Sequence, residues 1–218
     1  MYALFEESGK FLAGRILSQS DTSAQIELDS GKRVKVKAAH VMVEFEKPAP
    51  AELIAAAREV QITIEPALAW EFAPEEEFGF ADLARDYFND KASVEQQVAA
   101  LFCLFETPHY FRRAGKGRFK KAPTEIVQLA LIAIEKKKQQ LLQINDWAVS
   151  LGNGICPEPI RLQLYKILFK PDKNTSEYKA VVEAAKTTKL PPLDLLQQAG
   201  AITSAYQFHW QRFLFDNF

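Results

Sequence analysis

Residues 110–121 read YFRRAGKGRFKK, with six cations, three aromatics and no carboxylate among the twelve. A phosphate backbone is neutralised by cations that can follow its charge spacing, and unstacked bases need flat faces to lie on. Arg112, Arg113, Lys116, Arg118, Lys120 and Lys121 would supply the first, and Tyr110 the second. Phe111 and Phe119 are expected to turn inward as core. A second basic group is Arg33, Lys35 and Lys37, preceded by Lys32. Alternation with Val34 and Val36 puts these three cations on one face of a strand, where they suit RNA or partner contact. Lysines on an edge strand also block unwanted strand pairing.

No other group has the spacing of a reaction centre. Cys103 and His109 are close in sequence, but the thiol sits in the apolar run ALFCLF. Burial raises a thiol's pKa and makes it a poor nucleophile. The histidines at 40, 109 and 209 fall in three different segments, too far apart in sequence for a metal-ligand pattern. Glu75-Glu76-Glu77 is expected at a helix start, where carboxylates favour the positive end of the dipole. Glu135-Lys136-Lys137-Lys138 spreads around a helix and reads as a solvated face. Gly115-Lys116-Gly117 and Gly152-Asn153-Gly154 lack phosphate-loop spacing and read as turns. No catalytic or metal-ligating residue is expected in this chain, nor any cofactor of its own.

The elements that must carry these residues change character along the chain. Residues 1–47 contain five short apolar-alternating segments parted by Ser8-Gly9, Ser20-Asp21 and Ser30-Gly31. Tight turns between short strands predict a small SH3-like β-barrel. Residues 48–65, a linker and helix, begin with Pro48-Ala49-Pro50 and continue into an Ala-rich helix. Residues 66–122 run helix, helix, helix, hairpin, with Ser93 and Gln96 spaced as a capping box. That order predicts a winged helix-turn-helix with a basic hairpin. Residues 123–218 are helical throughout, punctuated by Pro157, Pro159, Pro171, Pro191, Pro192 and Gly200. The expected class is α+β, mostly helical.

The 218 residues carry 27 Lys and Arg against 28 Asp and Glu, a net charge of −1. This balance argues against a histone-like polycation or an acidic disordered tail, yet it conceals a division. Residues 1–109 hold 10 basic and 19 acidic side chains, and residues 110–218 hold 17 and 9. No apolar run of about 18 residues is present, so no membrane span is expected. The start MYALFEE lacks a basic region before an apolar one, and the two cysteines are unpaired by spacing. Both point to a reducing, cytoplasmic setting.

Taken as an ordered set, FEESGKF, GKRVKVKAAHV, EFGFADLARDYF, PHYFRRAGKGRFKKAP and HWQRFLFDNF resemble the N-terminal region of a ribonuclease II-like (RNB-family) exoribonuclease of a bacterial subgroup. The resemblance runs over essentially the whole chain. It implies an RNA-binding accessory region that guides single-stranded RNA to a C-terminal catalytic domain absent from this chain. That domain would bind Mg²⁺ through aspartates and hydrolyse RNA from the 3′ end. Its partners would be single-stranded RNA and the chain's own catalytic domain, with no membrane. Two competing classes are a winged-helix regulator of double-stranded DNA and a protein-interaction scaffold. The first would use the helix at 93–105, which has no Lys or Arg to reach a base or phosphate. The second would use the apolar residues Phe208, Trp210, Phe213, Leu214, Phe215 and Phe218.

Overall fold

The computed structural model describes residues 1–115 and 117–217. Lys116 and Phe218 lie outside the described residues. The chain divides into two units, Met1–Ala130 and Leu131–Phe218, within an α+β protein that is mostly helical. Among the described residues no helix is long and apolar enough to cross a membrane.

The first unit opens with five strands: β1 (Tyr2–Glu7), β2 (Lys10–Gln19), β3 (Ser23–Glu27), β4 (Arg33–Lys37) and β5 (Val41–Phe45). They form one antiparallel sheet in the order β4-β3-β2-β1-β5. A single 3₁₀ turn, Ala38–His40, separates the last two. Among the described residues no ladder joins β4 to β5, so the sheet is not a closed barrel. Strand β1 lies between β2 and β5 and is buried on both faces, and this explains its unbroken Ala3-Leu4-Phe5. A strand covered on both sides loses the apolar-polar alternation of a half-exposed one. Ala3 and Phe5 enter a small core with Ala24, Ile26 and Val36. Leu4 points the other way, into a larger core shared with the helices.

That larger core is built by α1 (Pro50–Ile62), α2 (Pro66–Phe72), α3 (Phe80–Tyr87) and α4 (Val94–Glu106). Proline begins α1 and α2, where a missing N–H costs nothing. At the start of α4, Ser93 Oγ accepts from the Gln96 amide at 3.3 Å, and Gln96 Oε1 accepts from the Ser93 amide at 2.9 Å. This capping box follows the sequence pattern. Seven consecutive residues of α4, Val98–Leu104, are buried, so the helix is enclosed on every side along its middle. Phe11 of β2 packs on Phe102 of α4 with centroids 5.1 Å apart, which ties sheet to helices. The residues expected as a linker and helix at 48–65 therefore supply core, through Leu53 and Ala57.

The C-terminus of α4 is clamped to α1. Glu106 accepts from Arg58 at 2.6 Å and from Gln61 at 2.8 Å, and the Arg58 guanidinium lies 4.2 Å over the Phe102 ring. Partial burial pushes the Glu106 carboxyl up, but the hydrogen bonds from Gln61 and Arg58 and the Arg58 charge outweigh it, so its pKa falls below the ordinary 4.5. A depressed carboxylate stabilises the fold above its ordinary pKa, and that contribution is lost as pH falls through the folded value. Melting temperatures of the wild type and Glu106→Gln should therefore differ at neutral pH and converge below about pH 4.5. A gap that persists in acid would assign the clamp to packing instead.

The unit ends in a three-stranded sheet, β6 (Phe78–Gly79), β7 (Phe111–Gly115) and β8 (Arg118–Lys121), in the order β6-β8-β7. The helix α5 (Thr124–Gly152) follows, and Val127 in its first turn joins the larger core.

In the second unit, the remainder of α5 is followed by α6 (Glu158–Leu162), a π-helical turn at Tyr165–Phe169, α7 (Ser176–Thr188), α8 (Pro192–Gln198) and α9 (Ala205–Asn217). Their core contains Leu151, Ile160, Ile167, Val181, Leu195 and Leu196. Phe208 and Phe215 of α9 pack on Phe169 at 5.3 and 5.7 Å. The opposite face of α9 leaves Trp210 52 % and Phe213 51 % exposed. Residues 131–143 of α5 are exposed throughout, Leu131, Ile132, Ile134, Leu141 and Leu142 included.

Candidate nucleic-acid interface

The basic hairpin is β7 and β8, closed by a turn whose flanking residues Gly115 and Gly117 both take positive φ, +92° and +70°. Only glycine adopts that region without steric cost. Register pairs Phe111 with Lys121, Arg112 with Lys120, and Arg113 with Phe119. Opposed residues share a face, so the ladder sorts the side chains. Phe111 and Phe119 face the core, 1 % and 2 % exposed. Arg112 and Lys120 face solvent together.

The cations on this hairpin fall into two groups. Arg113 is fixed: its guanidinium lies 3.2 Å over the Phe105 ring and reaches Glu6 of β1 at 3.2 Å. Arg118 pairs with the Glu77 carboxylate, and its Nη2 donates to the Glu77 carbonyl at 2.9 Å. Lys121 meets Glu75 at 3.1 Å and stands 4.9 Å over the Trp70 ring. Arg112 and Lys120, by contrast, have no carboxylate partner among the described residues. They are two like charges opposed across a ladder, a local arrangement that destabilises unless an anion lies over it. Lys116, expected to join them, lies outside the described residues.

Two expectations are corrected by this geometry. Tyr110 is 8 % exposed, its ring 4.5 Å from His109 and 6.2 Å from Trp70, so it is core and offers no face to a base. It is seated there because the chain between α4 and β7 must turn tightly, with the Tyr110 amide donating to Thr107 O at 2.9 Å. Glu75-Glu76-Glu77 does not begin a helix. It lies between α2 and β6, where Glu75 and Glu77 serve as counter-charges to the hairpin. The signal for this was present as an acidic triplet matching a basic dozen, but the two segments are some forty residues apart.

On the five-stranded sheet, β4 is an edge strand and its valines turn inward as expected, with Arg33, Lys35 and Lys37 exposed. Arg33 is occupied by Glu27 at 3.3 Å, whereas Lys35 and Lys37 stand opposite Gln25 and Ser23. Cys103 is buried, and desolvation pushes its thiol up to about 11. Burial raises Cys156 as well. Neither thiol is poised as a nucleophile near neutral pH. Among the described residues no three His, Cys, Asp or Glu side chains come together as a metal site.

Comparison with protein-family models, with curated proteins and with solved structures finds no match.

Proposed function

We propose that the first unit is a single-stranded RNA-binding module, without hydrolytic activity of its own, and that the chain is the accessory region of a ribonuclease II-like exoribonuclease. The observation that carries the RNA reading is the Arg112–Lys120 pair, two cations held side by side on one ladder with no carboxylate partner among the described residues. Lys35 and Lys37 on the edge strand are the second set of phosphate contacts. Contact is to the backbone, so binding is weak, tolerant of sequence and sensitive to salt.

Finer features support the fold reading. A four-strand meander with β5 returned beside β1 after a 3₁₀ turn suits an SH3-like module, open at one seam. Two helices followed by a hairpin, with β6 paired to β8, suit a winged helix-turn-helix. The duplex DNA reading is disfavoured by α4, since a recognition helix needs a free face and Val98–Leu104 are all buried. The exposed aromatic face of α9 supports docking of a catalytic domain onto the second unit. Two buried unpaired thiols are consistent with a cytoplasmic setting.

Fluorescence anisotropy with labelled oligo(A), at about 50 and 200 mM salt, tests the proposal. Micromolar binding that weakens several-fold at the higher salt is expected, with single strands competing better than duplex. Salt-independent binding, or none at micromolar protein, overturns it.

A further inference from the structure

The acidic segment beside the hairpin does more than neutralise it. Glu77 immediately precedes β6, and β6 is laddered to β8 through Phe78–Phe119 and Gly79–Arg118. The carboxylate is thus tethered by backbone hydrogen bonds to the strand whose arginine it occupies. Tethering keeps its effective concentration high, whatever the concentration of competing anions. Glu75 holds Lys121 from the same segment. The Arg118–Glu77 contact is open to exchange, both side chains being about half exposed at 48 % and 47 %, whereas Glu75 caps a cation that is only 14 % exposed and lies on the Phe111 face of the ladder. Glu76, between them, is exposed and adds negative charge to the approach.

We infer that Glu77 is an internal competitor for the phosphates that this hairpin binds, and that it sets the hairpin's affinity and its preference for extended polyanions. The inference rests on the hairpin being an RNA-binding surface. A lone phosphodiester carries the same single charge as a carboxylate and gains nothing by displacing a tethered one. A strand seated first on Arg112 and Lys120 brings a neighbouring phosphate, already tethered in turn, to Arg118, two residues from Lys120 on the same face of β8. Only a chain of phosphates can then open this ion pair. The hairpin therefore has one standing anion seat and one conditional seat.

The variant Glu77→Gln, assayed in the full chain by oligo(A) anisotropy, tests this. The expected result is binding tighter than wild type by about 1.4- to five-fold, the range for removing one exposed ion pair. The log–log salt slope should steepen by about 0.7 for each phosphate newly contacted. Glu59→Gln removes the same charge from a residue that touches none of the hairpin cations, and should shift affinity little. Circular dichroism of both variants checks that folding is unchanged. If wild type binds but the Glu77 variant gains no more than the control, the competitor role is overturned and the RNA reading stands. If neither wild type nor variant binds, the RNA reading falls and the inference with it.

Discussion

Arg112→Glu weakens oligo(A) binding by about 10- to 100-fold while leaving the fold at least as stable as wild type. The two effects have one cause. Arg112 lies directly opposite Lys120 in the β7–β8 ladder, and both side chains face solvent. A carboxylate at 112 turns a like-charge cross-strand pair into an opposite-charge one, a gain of a few tenths of a kcal/mol to about 1 kcal/mol. The same change removes one phosphate contact and engages the lysine of the second. Losing two contacts flattens the salt slope by about 1.4 on a single strand. Isothermal affinity at two salt concentrations, together with a melting curve, measures both halves. A variant that loses binding through damage would melt lower; this one should not. Undiminished binding would move the phosphate seat away from Arg112–Lys120.

Phe102→Ala costs the first unit about 3–5 kcal/mol, the usual range for emptying a buried aromatic site. Phe102 is 0 % exposed and is the point where three elements meet: its own α4, Phe11 of β2 and the Arg58 guanidinium of α1. Against a typical stability of about 5–15 kcal/mol, that loss is large. Because the larger core joins Leu4, Ala13 and Phe45 of the sheet to Leu53, Leu101 and Leu104 of the helices, sheet and helices should lose stability together. Urea unfolding followed by far-ultraviolet circular dichroism and by Trp70 fluorescence, in a background with Trp147 and Trp210 replaced by Phe, should show coincident midpoints, both lowered. A Trp70 transition left in place would mean that the helical layer holds without this joint.

Local rules carried the element reading a long way. Alternation in Arg33–Lys37 correctly placed the valines inward, Ser93 and Gln96 correctly marked the start of α4, and the glycines at 115 and 117 correctly marked the hairpin turn. What escaped were features with no local signature. Strand β6 is two residues long, too short for any periodicity to mark it in the sequence. Without β6, nothing brought Glu75 and Glu77 to Arg118 and Lys121, and half the electrostatics of the site stayed hidden. Tyr110 is ambiguous in sequence for another reason. An aromatic with a polar tip suits a surface or a core equally well, and the choice is made by the turn geometry around Thr107. Arg113 and Arg112 are equivalent in local sequence, and only register puts one on the Phe105 side and the other outside.

The burial of β1 on both faces also bears on how the protein is made. Its Leu4 side is covered by helices encoded up to sixty residues after β5, the last in α4. At about 5–20 residues per second, a ribosome needs roughly 3–12 s to deliver that cover. During that interval the emerged sheet can close its small core around Phe5 and Ile26, yet Leu4, Ala13 and Phe45 stay bare. Nascent chains at that stage present a sticky apolar plate, which makes this window the point in the protein's life where chaperone capture and misassembly compete most directly with folding.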